Sequence, residues 1–163
     1  SPEMKSTGEV MGISKAMGDS FLRASISAGN NLPKNGKVFI SVNDGDKKAI
    51  IPIAKKLDRF GFSIVATSGT SSLLNVNGVS TDKIYKVGEG RPNVVDGIKN
   101  GEINLVINTP LGAQSRFDEE AIGKACIKKG ILAITTLSGA NAALDAVSHK
   151  DDFSVRSIQD YHL

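Results

Sequence analysis

The chain has no tryptophan, one cysteine (Cys126) and two histidines (His149 and His162) among 163 residues. A single thiol excludes an intrachain disulfide and a cysteine-based metal cluster. Two histidines leave little material for a histidine-ligated metal. Six Phe and two Tyr are too few for an aromatic platform on which nucleobases stack. The formal net charge is only +3 and no long basic run occurs, which argues against nucleic acid as a partner. No apolar stretch approaches the roughly 20 residues of a membrane span. Ser1-Pro2-Glu3-Met4-Lys5 carries no apolar core of a secretion signal. A Walker A run is missing. Gly88-Glu89-Gly90 opens a dinucleotide fingerprint, but Asn93 stands where its third glycine belongs.

What is present is a globular composition, 40% hydrophobic and 23% charged, enough for one ordinary domain and a short appendage. Glycine, at 17 residues, is about 10% against a usual ~7%, as a chain with many tight strand-to-helix turns requires. The first residue is Ser1 rather than Met, so the chain is expected to be processed or excised from something longer. From Ile13 to Ala28 the apolar positions Ile13, Ala16, Met17, Phe21, Ala24 and Ala28 recur at three- and four-residue steps, the spacing of one amphipathic helix. Asn30-Asn31-Leu32-Pro33-Lys34-Asn35-Gly36 breaks that helix and reads as a boundary.

After Gly36 short β-branched runs alternate with helical stretches. Strands are predicted at 38–42, 62–66, 84–87, 103–107 and 131–134. Helices are predicted around Ile50–Leu57 and at 71–76, 94–100, 117–129 and 141–147, while 153–158 is ambiguous. Asp118, Glu119 and Glu120 open the helix over 117–129, Lys128 and Lys129 close it, and Gly130 follows, which suits the helix dipole and a glycine C-terminal stop. Strand and helix in regular alternation specify an α/β fold, a doubly wound five-stranded parallel sheet in three layers. Cys126, beside Ala125 and Ile127, reads as a buried structural thiol. Neither histidine falls at a strand end, so both read as solvated surface residues.

In such a sheet, ligands bind beyond the carboxyl ends of the strands. The residues that follow the predicted strands include Lys47, the turn Thr67-Ser68-Gly69-Thr70, Lys86 and Arg91, Asn108-Thr109-Pro110, and Thr135-Thr136. A glycine-containing turn that opens a helix points several backbone N–H groups outward, and hydroxyls add donors; this suits a phosphate. Lysine supplies a point charge without demanding bidentate geometry. Taken alone, Thr67-Ser68-Gly69-Thr70 is equally a plain turn with Thr67 as N-cap. Two lysines and the Asn108-Thr109 loop at matching strand ends favour the phosphate.

These residues carry a resemblance. Residues 37–163 resemble the methylglyoxal-synthase-like domain that ends the large subunit of carbamoyl-phosphate synthase, through Asp44-Gly45-Asp46-Lys47, Ala66-Thr67-Ser68-Gly69-Thr70, the run Lys86-Val87-Gly88-Glu89-Gly90-Arg91-Pro92-Asn93, Ile98-Lys99-Asn100-Gly101-Glu102, Ile107-Asn108-Thr109-Pro110 and Thr135-Thr136-Leu137. Residues 4–12, Met4-Lys5-Ser6-Thr7-Gly8-Glu9-Val10-Met11-Gly12, resemble the end of the preceding ATP-grasp domain. The resemblance implies three segments: 1–12 from that ATP-grasp domain, 13–36 a connecting helix and linker, and 37–163 a Rossmann-like regulatory domain.

It also implies an allosteric role without catalytic residues. A nucleotide monophosphate, UMP or IMP, would control carbamoyl phosphate synthesis for pyrimidine and arginine biosynthesis. Phosphate contacts would come from Lys47, Thr67, Gly69, Thr70, Lys86, Asn108 and Thr109, with Ser68 in the same turn. Arg91 and Thr135 would lie beside the site or at an interface. This piece would need no cofactor and no metal. The parent would be an ATP-dependent, glutamine-hydrolysing ligase using ATP with Mg or Mn, and bicarbonate. The implied partners are the upstream ATP-grasp domains, a small glutaminase subunit and a second copy of the chain, in the cytoplasm.

Two departures matter. Pro110 stands where some members have a second threonine, and offers neither hydroxyl nor N–H. Ala133 stands where members that respond to ornithine carry tyrosine, which argues against ornithine activation. Two rivals remain. One is a lyase of the methylglyoxal synthase type, which shares the fold and the Thr-Gly-Thr turn. It needs a carboxylate base in the loop after strand three and a histidine after strand four. Here Arg91 takes the comparable loop position, Asp96 is expected on the following helix, and 108–117 holds no histidine. The other rival is a subunit-association module without an effector.

Overall fold

A computed structural model describes residues 33–153. The segment 1–12, most of 13–36 with its predicted helix, the stretch after Phe153 and His162 lie outside the described residues, as does the side chain of His149.

Strand β1 (Gly36–Ser41) leads through a 3-10 turn (Asp44–Asp46) into helix α1 (Lys47–Arg59). There follow β2 (Phe62–Ala66), α2 (Ser68–Val76), β3 (Thr81–Lys83), α3 (Val94–Lys99) and β4 (Leu105–Asn108). A second 3-10 turn (Ala113–Ser115) opens into α4 (Arg116–Lys129), then β5 (Ala133–Ile134) and α5 (Leu137–Phe153). The five strands form one sheet in the order β3-β2-β1-β4-β5, and every pairing is parallel. This is the expected doubly wound sheet.

Successive strand side chains point to opposite faces, and the core divides accordingly. Val38, Ile40, Ile64, Leu105 and Ile107 face Ile50, Ile53 and Leu57 of α1, Leu74 of α2 and Leu144 of α5. Phe39, Val65 and Val106 face the other way, onto Val94 and Ile98 of α3 and Ile122 and Cys126 of α4. β1 is central and buried on both faces, which is why it reads as an unbroken apolar run. Cys126 is buried, and that burial pushes its thiol up to about 12. Gly130 ends α4 in the left-handed conformation with φ 66°, where a side chain would meet the following carbonyl.

Five elements differ from their predicted places. The third strand is Thr81–Lys83, not 84–87. It is an edge strand, so its place is set by pairing with Ile64–Ala66 rather than by a core-facing pattern of its own. Ile84 and Val87 instead pack from the loop onto the second core. The fourth and fifth strands start two residues later than predicted, at Leu105 and Ala133. Helix α2 begins at Ser68, directly after Thr67, so the whole Thr-Ser-Gly-Thr turn is its N-terminus. The last helix runs 137–153 rather than 141–147, and Gly139 lies in its first turn.

Candidate functional site

The chain runs outward from β1 through β2 to β3 and then returns to β4 on the other side of β1, so the strand order reverses between β1 and β4. Ligands in open α/β sheets collect at such a point. Register brings the ends together: Ser41 pairs with Asn108, and Ile40 pairs with Ala66, which places Thr67 beside Ser41. The Thr67 hydroxyl donates to Ser41 Oγ at 3.2 Å.

These ends open into a cleft. Ser41, Thr67 and Asn108 line it from the strands, Lys86 from the loop after β3, and Asp118 and Glu119 from α4, over a floor of Phe39, Val94 and Ile122. Asn108 keeps an amide, and Lys86 an ammonium, without a hydrogen bond or ion pair among the described residues. Thr70, at the start of α2, is 1% exposed.

The N-terminus of α2 is a second concentration of positive charge. Thr67 occupies the N-cap position with extended backbone, but its hydroxyl makes no cap bond, because it is turned to Ser41. The first N–H groups of α2 therefore have no side-chain acceptor, and the positive end of the helix dipole stays uncompensated. Lys47, the first residue of α1, points at the same place: a β-carbon on Gly69 would lie 2.9 Å from its Nζ. Its nearest carboxylate, the solvent-exposed Asp44, is 4.0 Å away, an ion pair of small worth. An ammonium over a helix N-terminus is mutual repulsion unless an anion lies between them.

Acidic groups temper this field. Burial pushes the Asp118 carboxyl above the usual range, Glu89 and Glu119 reinforce the shift, and Lys86 opposes it. Glu119 is occupied: it accepts from the Leu111 N–H at 3.0 Å and from Ser115 Oγ at 2.7 Å, folding the loop after β4 onto α4.

The strand-end residues expected from sequence are thus brought together in part. Thr67, Lys86 and Asn108 line the cleft, and Lys47, Ser68, Gly69 and Thr70 gather at the adjoining helix N-terminus. Thr109 is buried, and its hydroxyl accepts from the Asn43 N–H at 2.9 Å, while its own N–H donates to the Ser41 carbonyl at 3.0 Å. It joins the loops after β1 and β4. Arg91 is held by Asp96 away from the cleft lining, and Thr135 is exposed beyond the edge strand β5. Sequence reasoning missed Ser41, although a serine ending an apolar strand was a readable signal. It read Asp118 and Glu119 only as dipole complements. Among the described residues no three of His, Cys, Asp or Glu are grouped to hold a metal ion, and no helix is long and apolar enough to cross a membrane.

Comparison with known proteins gives the family. The model of the MGS-like domain family matches residues 49–135. The large chain of carbamoyl phosphate synthase from Acidobacterium capsulatum is 48% identical over 99% of this chain and 15% of its own length. The C-terminal section of that large chain from Aquifex aeolicus is 50% identical over 90% of this chain and 27% of its own length. The chain therefore spans only about 15% of the full-length relatives it matches. Among solved structures, ForH superimposes with a TM-score of 0.53 at 19% identity, covering 71% of this chain and 81% of its own; this likeness concerns the fold alone.

Proposed function

The chain belongs to the MGS-like domain family, and on that premise we propose that it is the regulatory domain of a carbamoyl phosphate synthase large chain, binding a nucleoside monophosphate such as UMP or IMP by its phosphate. The observation that carries this reading is the Lys47 ammonium lying over the uncapped N-terminus of α2 at Gly69. A phosphate there would accept from the helix N–H groups and from the Thr70 hydroxyl, and would neutralise Lys47. Lys86 and Asn108 reach the same ligand from the cleft side. Asp118 and Ser41 remain for the rest of the nucleotide. The effector acts by binding the parent's conformational states unequally. It thereby controls an ATP-dependent synthesis of carbamoyl phosphate that upstream domains and a glutaminase partner carry out.

Asp96 gives the lyase alternative no support as its base. Asp96 lies on α3, and both its carboxylate oxygens accept hydrogen bonds from Arg91 and from the Asn93 N–H. The Arg91 guanidinium and then that N–H hold it down at about 2, far too acidic to take a carbon-bound proton near neutral pH.

Titration calorimetry of the chain with UMP, IMP and inorganic phosphate tests the reading. Nucleotide binding that Lys86→Ala and Lys47→Ala each weaken at least tenfold is expected. Absence of binding, or binding indifferent to both substitutions, overturns it. Turnover of dihydroxyacetone phosphate to methylglyoxal, abolished by a site substitution, would favour the lyase instead.

A further inference from the structure

Ten residues without helix or strand, 84–93, separate β3 from α3, and they carry Lys86. A loop of that length would ordinarily let an ammonium wander, with a cost in binding for each side chain that must be ordered. This loop is tied down at identifiable points. The Ile84 N–H donates to the Ala66 carbonyl at 3.0 Å, and the Val94 N–H donates to the Tyr85 carbonyl at 3.1 Å. Tyr85 also bridges to Asn93 in parallel register. The Lys86 N–H donates to Glu89 Oε2 at 3.0 Å, and the Glu89 N–H returns to the Lys86 carbonyl at 3.2 Å. A β-carbon on Gly90 would lie 3.0 Å from the Tyr85 ring, so the tip of the loop folds back over its own stem.

The returning leg is fastened through Asp96. Its Oδ2 accepts from the Asn93 N–H at 2.9 Å and from Arg91 Nε at 3.2 Å, and its Oδ1 accepts from Arg91 Nη2 at 2.6 Å. Asn93 answers by accepting from the N–H groups of Val95 and Asp96, a reciprocal capping box. Helix α3 is itself anchored, because Val94 and Ile98 are fully buried. The carboxylate therefore links a rigid helix to both Arg91 and Asn93. Asn93 and Val94 in turn hold Tyr85, the residue before Lys86.

We propose that Asp96 is a positioning residue for Lys86, with Asn93 and Arg91 as its intermediaries, and that the Glu-Gly-Arg-Pro segment fixes the cationic side of the cleft rather than touching the ligand. This rests on the phosphate reading of the cleft. The Arg91 guanidinium is open to solvent although the Asp96 side chain is only 14% exposed, and an ion pair with one solvated partner adds little to global stability, so the consequence falls chiefly on ligand affinity.

The test is a double-mutant cycle in the 163-residue chain, with UMP as the probe and inorganic phosphate as competitor. Lys86→Gln alone reports on the phosphate reading: unchanged affinity overturns that reading, whatever Asp96 does. Given a loss with Lys86→Gln, Asp96→Ala should weaken UMP binding about fivefold in the Lys86 background and less than twofold in the Lys86→Gln background, since residues acting as a unit are non-additive. Asp96→Asn, which keeps an acceptor for Asn93 but loses the forked pair with Arg91, should lose about half as much on a logarithmic scale. It provides the measurement should Asp96→Ala fold poorly. Equal losses in both backgrounds, or no loss from either Asp96 variant, overturn the proposal and leave the phosphate reading standing.

Discussion

The two faces of the sheet are paved unequally. Among the described residues, eighteen buried apolar side chains fill the layer under α1, α2 and α5, against nine under α3 and α4. The thinner layer is the one that opens at the strand ends: Phe39, Val94 and Ile122 belong both to it and to the floor of the cleft. One face holds the fold closed, and the other leaves room for a ligand. Stability and binding should then be separable by substitution.

The largest effect belongs to the closed face. Leu57 is 1% exposed at the far end of α1, ten residues and about 15 Å along the helix from Lys47. Leu57→Ala should cost about 3 kcal/mol from lost burial and the cavity left behind. The urea midpoint should fall at constant slope, with phosphate affinity per folded molecule unchanged. A parallel fall in affinity would mean that the two faces are not independent.

Gly69→Ala presses on binding instead, at the strand-end tip of α2 on the same layer. Alanine suits a helix better than glycine, so stability should hold or rise slightly. The new β-carbon would stand 2.9 Å from Lys47 Nζ, and the flexible ammonium must swing away. Phosphate or UMP affinity should drop about tenfold, or about 1.4 kcal/mol, by calorimetry. An unchanged affinity would remove Lys47 from the site.

Thr109 tests the seam between the faces. Thr109→Val leaves the half-buried Asn43 N–H without its acceptor and should cost about 1 kcal/mol, read as a lower thermal midpoint. Thr109→Ser keeps the oxygen and should recover most of it. Equal behaviour of serine and valine would show that packing, not the hydroxyl, matters there.

Legibility in sequence follows from what each residue answers to. β1, β2 and β4 are buried on two sides, so their own side chains must be apolar, and the runs are visible. β3 answers to its partner: Thr81 is placed by pairing with Ile64 and by side-chain bonds to Ser71 and Asn75, none of which an apolar pattern reports. Lys47, Thr67, Lys86 and Asn108 were readable because the strand-end rule needs only the strand positions, and a shift of a few residues in the third strand left Lys86 in the cleft. The link from Thr109 to Asn43 spans 66 residues, and the tie from Glu119 to Leu111 depends on how a loop folds back. Neither has a local signature.

The smallest and most discriminating effect concerns Asp118, the carboxylate that shares the open face with Lys86. Its folded pKa is raised, first by burial and then by Glu89 and Glu119, so the ionised form disfavours the folded state. The sign follows by linkage: the cost is present at neutral pH and disappears as pH falls through the raised folded value. Asp118→Asn should therefore raise the thermal midpoint slightly at pH 7 and not at pH 3, the size limited by solvent screening. The same substitution removes a negative charge facing Lys86, so inorganic phosphate should bind about twofold more tightly at pH 7 and low salt, with the gain shrinking as salt is added. Melts at the two pH values and phosphate titrations at two ionic strengths decide it. A stabilisation that persists at pH 3, or a weaker phosphate interaction, would show that Asp118 shapes the cleft by its hydrogen bonding or bulk rather than by its charge.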